Sequence, residues 1–168
     1  MPFKGRYEEE DKLRGRPKGR NSRQEKDWSK SEKKIVYALM DKYPVSARLK
    51  YLEEKTHLTR VSLLKHLKEL KNKGIITIDE GVYSLRPKFA YLSEASPEQP
   101  INTPNVEGRT LVVRAEAINP FNLEIYGGNN LLQSEEDIKR IESTIPIHGK
   151  VTVKFSKGEV EKCQVMVF

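Results

Sequence analysis

The strongest constraint on the fold is a change of hydrophobic rhythm between residues 30 and 85. Up to Lys73 the apolar side chains recur three and four residues apart, the spacing of one helix face. From Ile75 to Leu85 they fall in short β-branched and aromatic runs, the signature of strands. Ser29-Lys-Ser-Glu32 has the form of a capping box, in which serine and glutamate satisfy each other's backbone N–H groups. It predicts a first helix over about 30–43 with Ile35, Val36, Leu39 and Met40 facing in, stopped by Pro44. A second helix is expected over about 47–55, capped by Ser46, with Leu49 and Leu52 inward. Thr59 caps a third over about 60–73, with Leu63, Leu64, Leu67 and Leu70 inward. Gly74 is placed to end it in a left-handed conformation. Ile75–Ile78 and Val82–Leu85 then read as a hairpin around Glu80-Gly81.

Outside that segment the pattern weakens. Residues 1–28 have no apolar periodicity, carry Gly15, Pro17 and Gly19, and read as a disordered arm. Trp28 is the first large apolar anchor. Residues 86–108 hold Pro87, Pro97, Pro100 and Pro104 and read as a linker, which as a flexible coil spans about 25 Å. The remainder reads as strands 110–117 and 122–126, a Gly127-Gly128 turn, a helix 135–144 capped by Ser134, and strands 150–156 and 159–168. Gln164–Phe168 is apolar on both faces, which a self-pairing edge or a central strand would explain. The expected class is α+β. Three helices plus a β-hairpin occupy 29–88, a linker 89–108 follows, and a separate small ββαββ domain occupies 109–168. An apolar fraction of only 36% against 33% charged suits two modest cores with an arm and a linker that need none.

Charge divides along the same lines. Residues 1–34 are net +5, 35–88 are +5, 89–108 are −3 and 109–168 are neutral, for a total of +7. The basic excess therefore belongs to the first half, where it favours a polyanionic partner. The single cysteine excludes a disulfide framework and a Cys-based zinc site within one chain. No apolar run reaches the roughly 18 residues of a transmembrane helix. Met1–Glu10 lacks the apolar stretch of a secretion signal. These readings predict a cytoplasmic, nucleoid-associated protein with no membrane partner.

The stretch Ser46–Ile76 resembles the winged helix-turn-helix of prokaryotic transcription regulators of the MarR and ArsR types. The resemblance rests on Leu58-Thr-Arg60, Leu63, Lys65-His-Leu-Lys-Glu-Leu70 and Lys73-Gly-Ile-Ile76, and covers about 50 residues, 30–86. It implies an N-terminal winged helix whose third helix enters the major groove of double-stranded DNA. Thr59, Arg60, Val61, Ser62 and Lys65 would then face base edges, with Arg60 able to reach a guanine bidentately. Lys68 and Lys71 are placed for phosphates. Periodicity alone would equally suit an amphipathic helix with solvated charges; the full helix–hairpin order and the regional charge favour DNA. Two departures stand out. His57 occupies the turn position where the family usually has glycine, because the backbone there needs positive φ. The wing tip Asp79-Glu80-Gly81 is acidic, so this wing is expected to grip phosphates little. His57 and His66 are read as structural or phosphate-proximal, not as metal ligands.

Within the arm, Arg14-Gly15-Arg16-Pro17, followed by Lys18 and Arg20, resembles an AT-hook. Gly15 lets the backbone lie on a narrow minor-groove floor, where A·T-rich DNA has its strongest negative potential. Pro17 keeps the segment extended. The ten residues from Arg20 to Lys30 reach at most roughly 33–36 Å, enough to pass to a neighbouring minor groove. A generic basic tail would bind by counterion release alone.

The neutral C-terminal part is expected to dimerise or to sense a small-molecule effector. Homodimers match palindromic half-sites. Catalysis is not expected. Glu116, Glu124 and Asp137 lack the spacing of nuclease carboxylates, Gly127-Gly128 is no phosphate loop, His148 stands alone, and Cys163 lies in an apolar strand. No cofactor and no metal is implied. The expected function is sequence-specific DNA binding in transcription regulation. A plasmid or viral replication or partition protein is the alternative within DNA binding, and a nuclease or other DNA-processing enzyme is the alternative outside it.

Overall fold

A computed structural model describes residues 28–94, 99–105 and 109–168. Helix α1 spans Lys30–Lys42, strand β1 Ala47–Arg48, helix α2 Leu49–Thr56 and helix α3 Arg60–Asn72. Strands β2 (Ile76–Asp79) and β3 (Val82–Leu85) follow, then β4 (Phe89–Ser93) and β5 (Ile101–Asn102). The chain ends with β6 (Thr110–Gly127), β7 (Asn130–Pro146), β8 (Thr152–Ser156) and β9 (Lys162–Val167).

The fold is mostly β, with 47% of the described residues in strands and 25% in helices. This corrects the expected α+β class of an N-terminal winged helix with a separate ββαββ domain: three helices share a core with a six-stranded sheet. The predicted helix 135–144 is part of β7, so Ser134 caps nothing and the C-terminal part holds no helix. The residues Glu135 to Arg140 favour a helix locally, with acidic groups four ahead of basic ones. They lie instead along β6, whose apolar alternation needs a hydrogen-bonded neighbour over its whole length. The proline-rich stretch expected as a linker supplies β4 and β5. The disordered-arm expectation falls on residues outside those described, except for Trp28.

A three-stranded sheet, ordered β1–β3–β2, sits beside the three helices. Glu80 and Gly81 both have positive φ at its turn, +52° and +77°. That pairing is the one a tight two-residue hairpin demands. A six-stranded sheet runs β4–β9–β6–β8–β5, with β7 also paired to β6. The first half of β6 pairs with β9 and the second half with β8, while β7 follows nearly all of it. β6 is irregular between Glu116 and Phe121. There Gly158 packs so close to the Pro120 carbonyl that an added Cβ would sit 2.3 Å from the oxygen.

Alternation along β6 and β9 explains two cores. Leu111, Val113, Cys163, Val165 and Val167 face a core made by the strands of the sheet and their connections, together with Phe121, Leu123 and Ile125. Val112, Met166 and Phe168 face the other way and complete the core of the helices. The last strand is thus apolar on both faces because it is central, between β4 and β6, and serves one core per face. Trp28 meets Phe168 edge to face at 5.4 Å.

The other end of α1 docks through polar groups centred on Arg114. Its guanidinium reaches Asp41 at 2.8 Å, the Tyr37 carbonyl at 3.2 Å, Gln164 at 2.9 Å and Glu142 at 3.0 Å. Gln164 in turn donates to the Met40 carbonyl, and the Tyr37 hydroxyl pairs with Thr144 at 2.7 Å. Burial raises the Tyr37 hydroxyl above the ordinary phenol value, opposed by its bond to Thr144. This satisfied network, on a mostly buried arginine, fixes where the helices sit on the sheet.

Candidate nucleic-acid interface

The turn between α2 and α3 is built by Thr56, His57 and Thr59. Thr56 Oγ1 donates to the Leu52 carbonyl and accepts from the Leu58 N–H. His57 adopts φ 60° and ψ 22°, the left-handed conformation anticipated for that position, and its N–H returns to the Glu53 carbonyl. Thr59 Oγ1 then accepts from the Ser62 N–H at 3.2 Å and opens α3. At the far end, Lys73 Nζ meets both oxygens of buried Glu32 at 2.9 and 3.0 Å. Glu32 also accepts from the Ser29 N–H, so one carboxylate ties the start of α1 to the end of α3.

α3 buries Leu63, Leu67 and Leu70. Thr59, Arg60, Val61, Lys65, Lys68 and Lys71 are exposed, and Ser62 is half-buried. Leu64, expected to face in, is 44% exposed and lies on the outer side with Val61, which is 80% exposed. Thr59, Arg60, Val61 and Ser62 thus gather at the first turn, with Lys65 one turn on and Lys68 and Lys71 beyond it. Neither α2 nor α3 has an acidic residue in its own first turn. Arg60 is not solitary: its Nε lies 3.6 Å from Glu53 of α2, on a side chain 65% exposed. A contact that open is worth little and can be exchanged for another partner.

Arg48 and Lys50 are further exposed basic residues, at the start of α2. Sequence reasoning missed them. The sequence places the cap at Ser46, whereas Ser46 pairs with Ser84 across the small sheet and the helix begins at Leu49. The signal was the basic pair flanking that first apolar position. The β2–β3 tip is exposed and acidic. His66 Nδ1 sits 3.0 Å from Glu69 on its own helix. Arg14, Gly15, Arg16, Pro17, Lys18 and Arg20 lie outside the described residues.

The carboxylates weighed for catalysis are dispersed. Glu116 faces Arg140 and Lys162 across its neighbours, Glu124 faces Ser134 and Lys154, and Asp137 sits at a bulge. Among the described residues no group of three or more His, Cys, Asp or Glu is placed to hold a metal ion. Cys163 is buried in the sheet core, and burial pushes its thiol up to about 12. A groove of about 580 Å³ lies between the end of α1 and the sheet, lined by charges of both signs including Asp41, Glu116, Arg140 and Lys162. Among the described residues no helix is long and apolar enough to cross a membrane. No family model matches the chain, and no curated protein matches it significantly.

Proposed function

We propose that the protein binds double-stranded DNA in a sequence-specific manner and acts in transcription regulation, with α3 as the reading element. The observation that carries this reading is the division of α3 into a buried leucine stripe and an outer face bearing Arg60, Ser62, Lys65, Lys68 and Lys71. A reading helix needs that division, with base-contacting groups at its start and cations further along for phosphates. Arg48 and Lys50 add exposed positive charge at the start of α2. The resemblance to MarR- and ArsR-type regulators points the same way. The Arg14-Gly15-Arg16-Pro17 arm would follow an adjacent A·T-rich minor groove. A homodimer would present two α3 helices to a palindrome.

Selection of bound duplexes from a random pool tests the reading. Recovery of one palindrome with half-sites about one helical turn apart is the expected result. Clustered direct repeats would favour a replication or partition role. Failure to enrich any sequence, with binding that depends on salt alone, would overturn specific recognition. Metal-dependent nicking of plasmid DNA would move the protein into the enzyme class.

A further inference from the structure

We propose that the outer edge of β7 is a homodimer interface, in which two copies pair their β7 strands antiparallel about a two-fold axis near Ile138. This deepens the homodimer reading above, but it stands on the sheet and not on DNA binding.

Three observations carry it. First, β7 runs 17 residues, and among the described residues it pairs with β6 alone. An edge of that length offers a row of backbone donors and acceptors to another strand. Second, its charges are ordered for self-pairing. Glu135, Glu136 and Asp137 precede Ile138, and Lys139 and Arg140 follow it. An antiparallel copy centred on Ile138 sets Asp137 opposite Lys139 and Glu136 opposite Arg140, and the two-fold repeats both pairs. Opposite charges directly across strands attract, whereas a shift that aligned like charges would be disfavoured. Acidic residues spread evenly along the strand would have protected the edge; segregated signs make it complementary to itself. Third, the apolar residues agree with the register. Leu131 and Leu132 are 52% and 43% exposed. In this register they fall opposite Ile145 and Thr144 of the second copy.

The kink in β7 fits the same geometry. Asp137 has φ 54°, and its N–H is bonded inward to Asn122 Oδ1 at 3.0 Å. A bulge in the middle of a ladder would interrupt it. Here the bulge falls beside the proposed two-fold, so residues after it pair with residues before it in the other copy. Each ladder then sets the regular run 139–146 of one copy against 130–137 of the other, whose further irregularity lies toward its far end, at Leu131–Gln133.

A charge-swap experiment on the full chain tests the proposal. One variant carries Lys139→Glu with Arg140→Glu, and the other Glu136→Lys with Asp137→Lys. Sedimentation equilibrium should find wild type dimeric and each variant weakened about 30-fold or more, since its own copies now oppose like charges. Mixing the two variants restores complementarity and should recover a heterodimer near wild-type affinity. Circular dichroism checks that each variant folds. Hydrogen exchange should show concentration-dependent protection of the 138–146 amides in wild type. A monomeric wild type, a dimer indifferent to both variants, or variants that fail to rescue one another would each overturn the interface. A monomer that still selects a DNA sequence would overturn it while leaving the DNA-binding reading intact.

Discussion

The helical segment and the six-stranded sheet depend on each other unequally. The core of the helices takes Val112, Met166 and Phe168 from the sheet, whereas the sheet core takes no buried side chain from residues 28–85. The sheet is therefore a platform, and the helices are a layer completed upon it. The surfaces differ in the same sense. The helical layer exposes a basic face around α3, while the sheet carries balanced charge, with both signs gathered along β7. The arrangement is unequal by construction: a sheet with its own core holds an apolar and polar seat on which the helices and their basic face are positioned.

Substitutions that hit one core or the junction sharpen this contrast. The largest effect is expected from Phe121→Ala, which empties the centre of the sheet core and should cost about 4 kcal/mol. Denaturant unfolding followed by far-UV circular dichroism should show strands and helices lost together, because the platform fails. Trp28→Ala should cost about 3 kcal/mol by removing the contact with Phe168. In that variant, hydrogen exchange should find α1 to α3 opening while β6 and β9 stay protected. Equal loss of protection in both regions would break the asymmetry.

A smaller effect is expected from the sheet's buried thiol. The native Cys163 thiol keeps its proton up to about pH 12, whereas in the unfolded chain it ionises near the ordinary value of about 8.5. Between those values the native state binds more protons, so this group's contribution to stability falls as pH rises. At pH 10 the loss should be about 2 kcal/mol. Cys163→Ala should show a shallower decline than wild type between pH 8.5 and 10, measured by urea unfolding at each pH. Identical slopes would mean that the thiol is not held in the apolar interior.

Much of the helical segment was legible because its signals are local. Ser29 and Glu32 form the capping box they spell, Pro44 lies just beyond α1, and His57 takes the positive φ its position demands. The leucine stripe Leu63, Leu67 and Leu70 is buried as its spacing requires, while Leu64 lies on the exposed side with Val61. The sheet was less legible because its determinants are remote in sequence. Nothing near Ser134 says that residues 130–146 must extend; that follows from pairing with β6. The strands in the proline-rich stretch gain their place only from β9 and β8. For the same reason the Arg114 network escaped notice, since its partners lie on α1, β7 and β9. At the candidate interface the residue types were readable, but Arg48 and Lys50 waited on the true start of α2.

As proposed, the first turn of α3 reads bases while its later lysines hold phosphates. The most direct measurement compares wild type with Arg60→Ala on a selected duplex and on a random duplex, each across a range of salt. Loss of a bidentate guanine contact should reduce discrimination by about 1–3 kcal/mol, with the salt slope on random DNA nearly unchanged. Unchanged discrimination with a shallower salt slope would contradict the account, because Arg60 would then be one more phosphate contact and α3 would not be the reader.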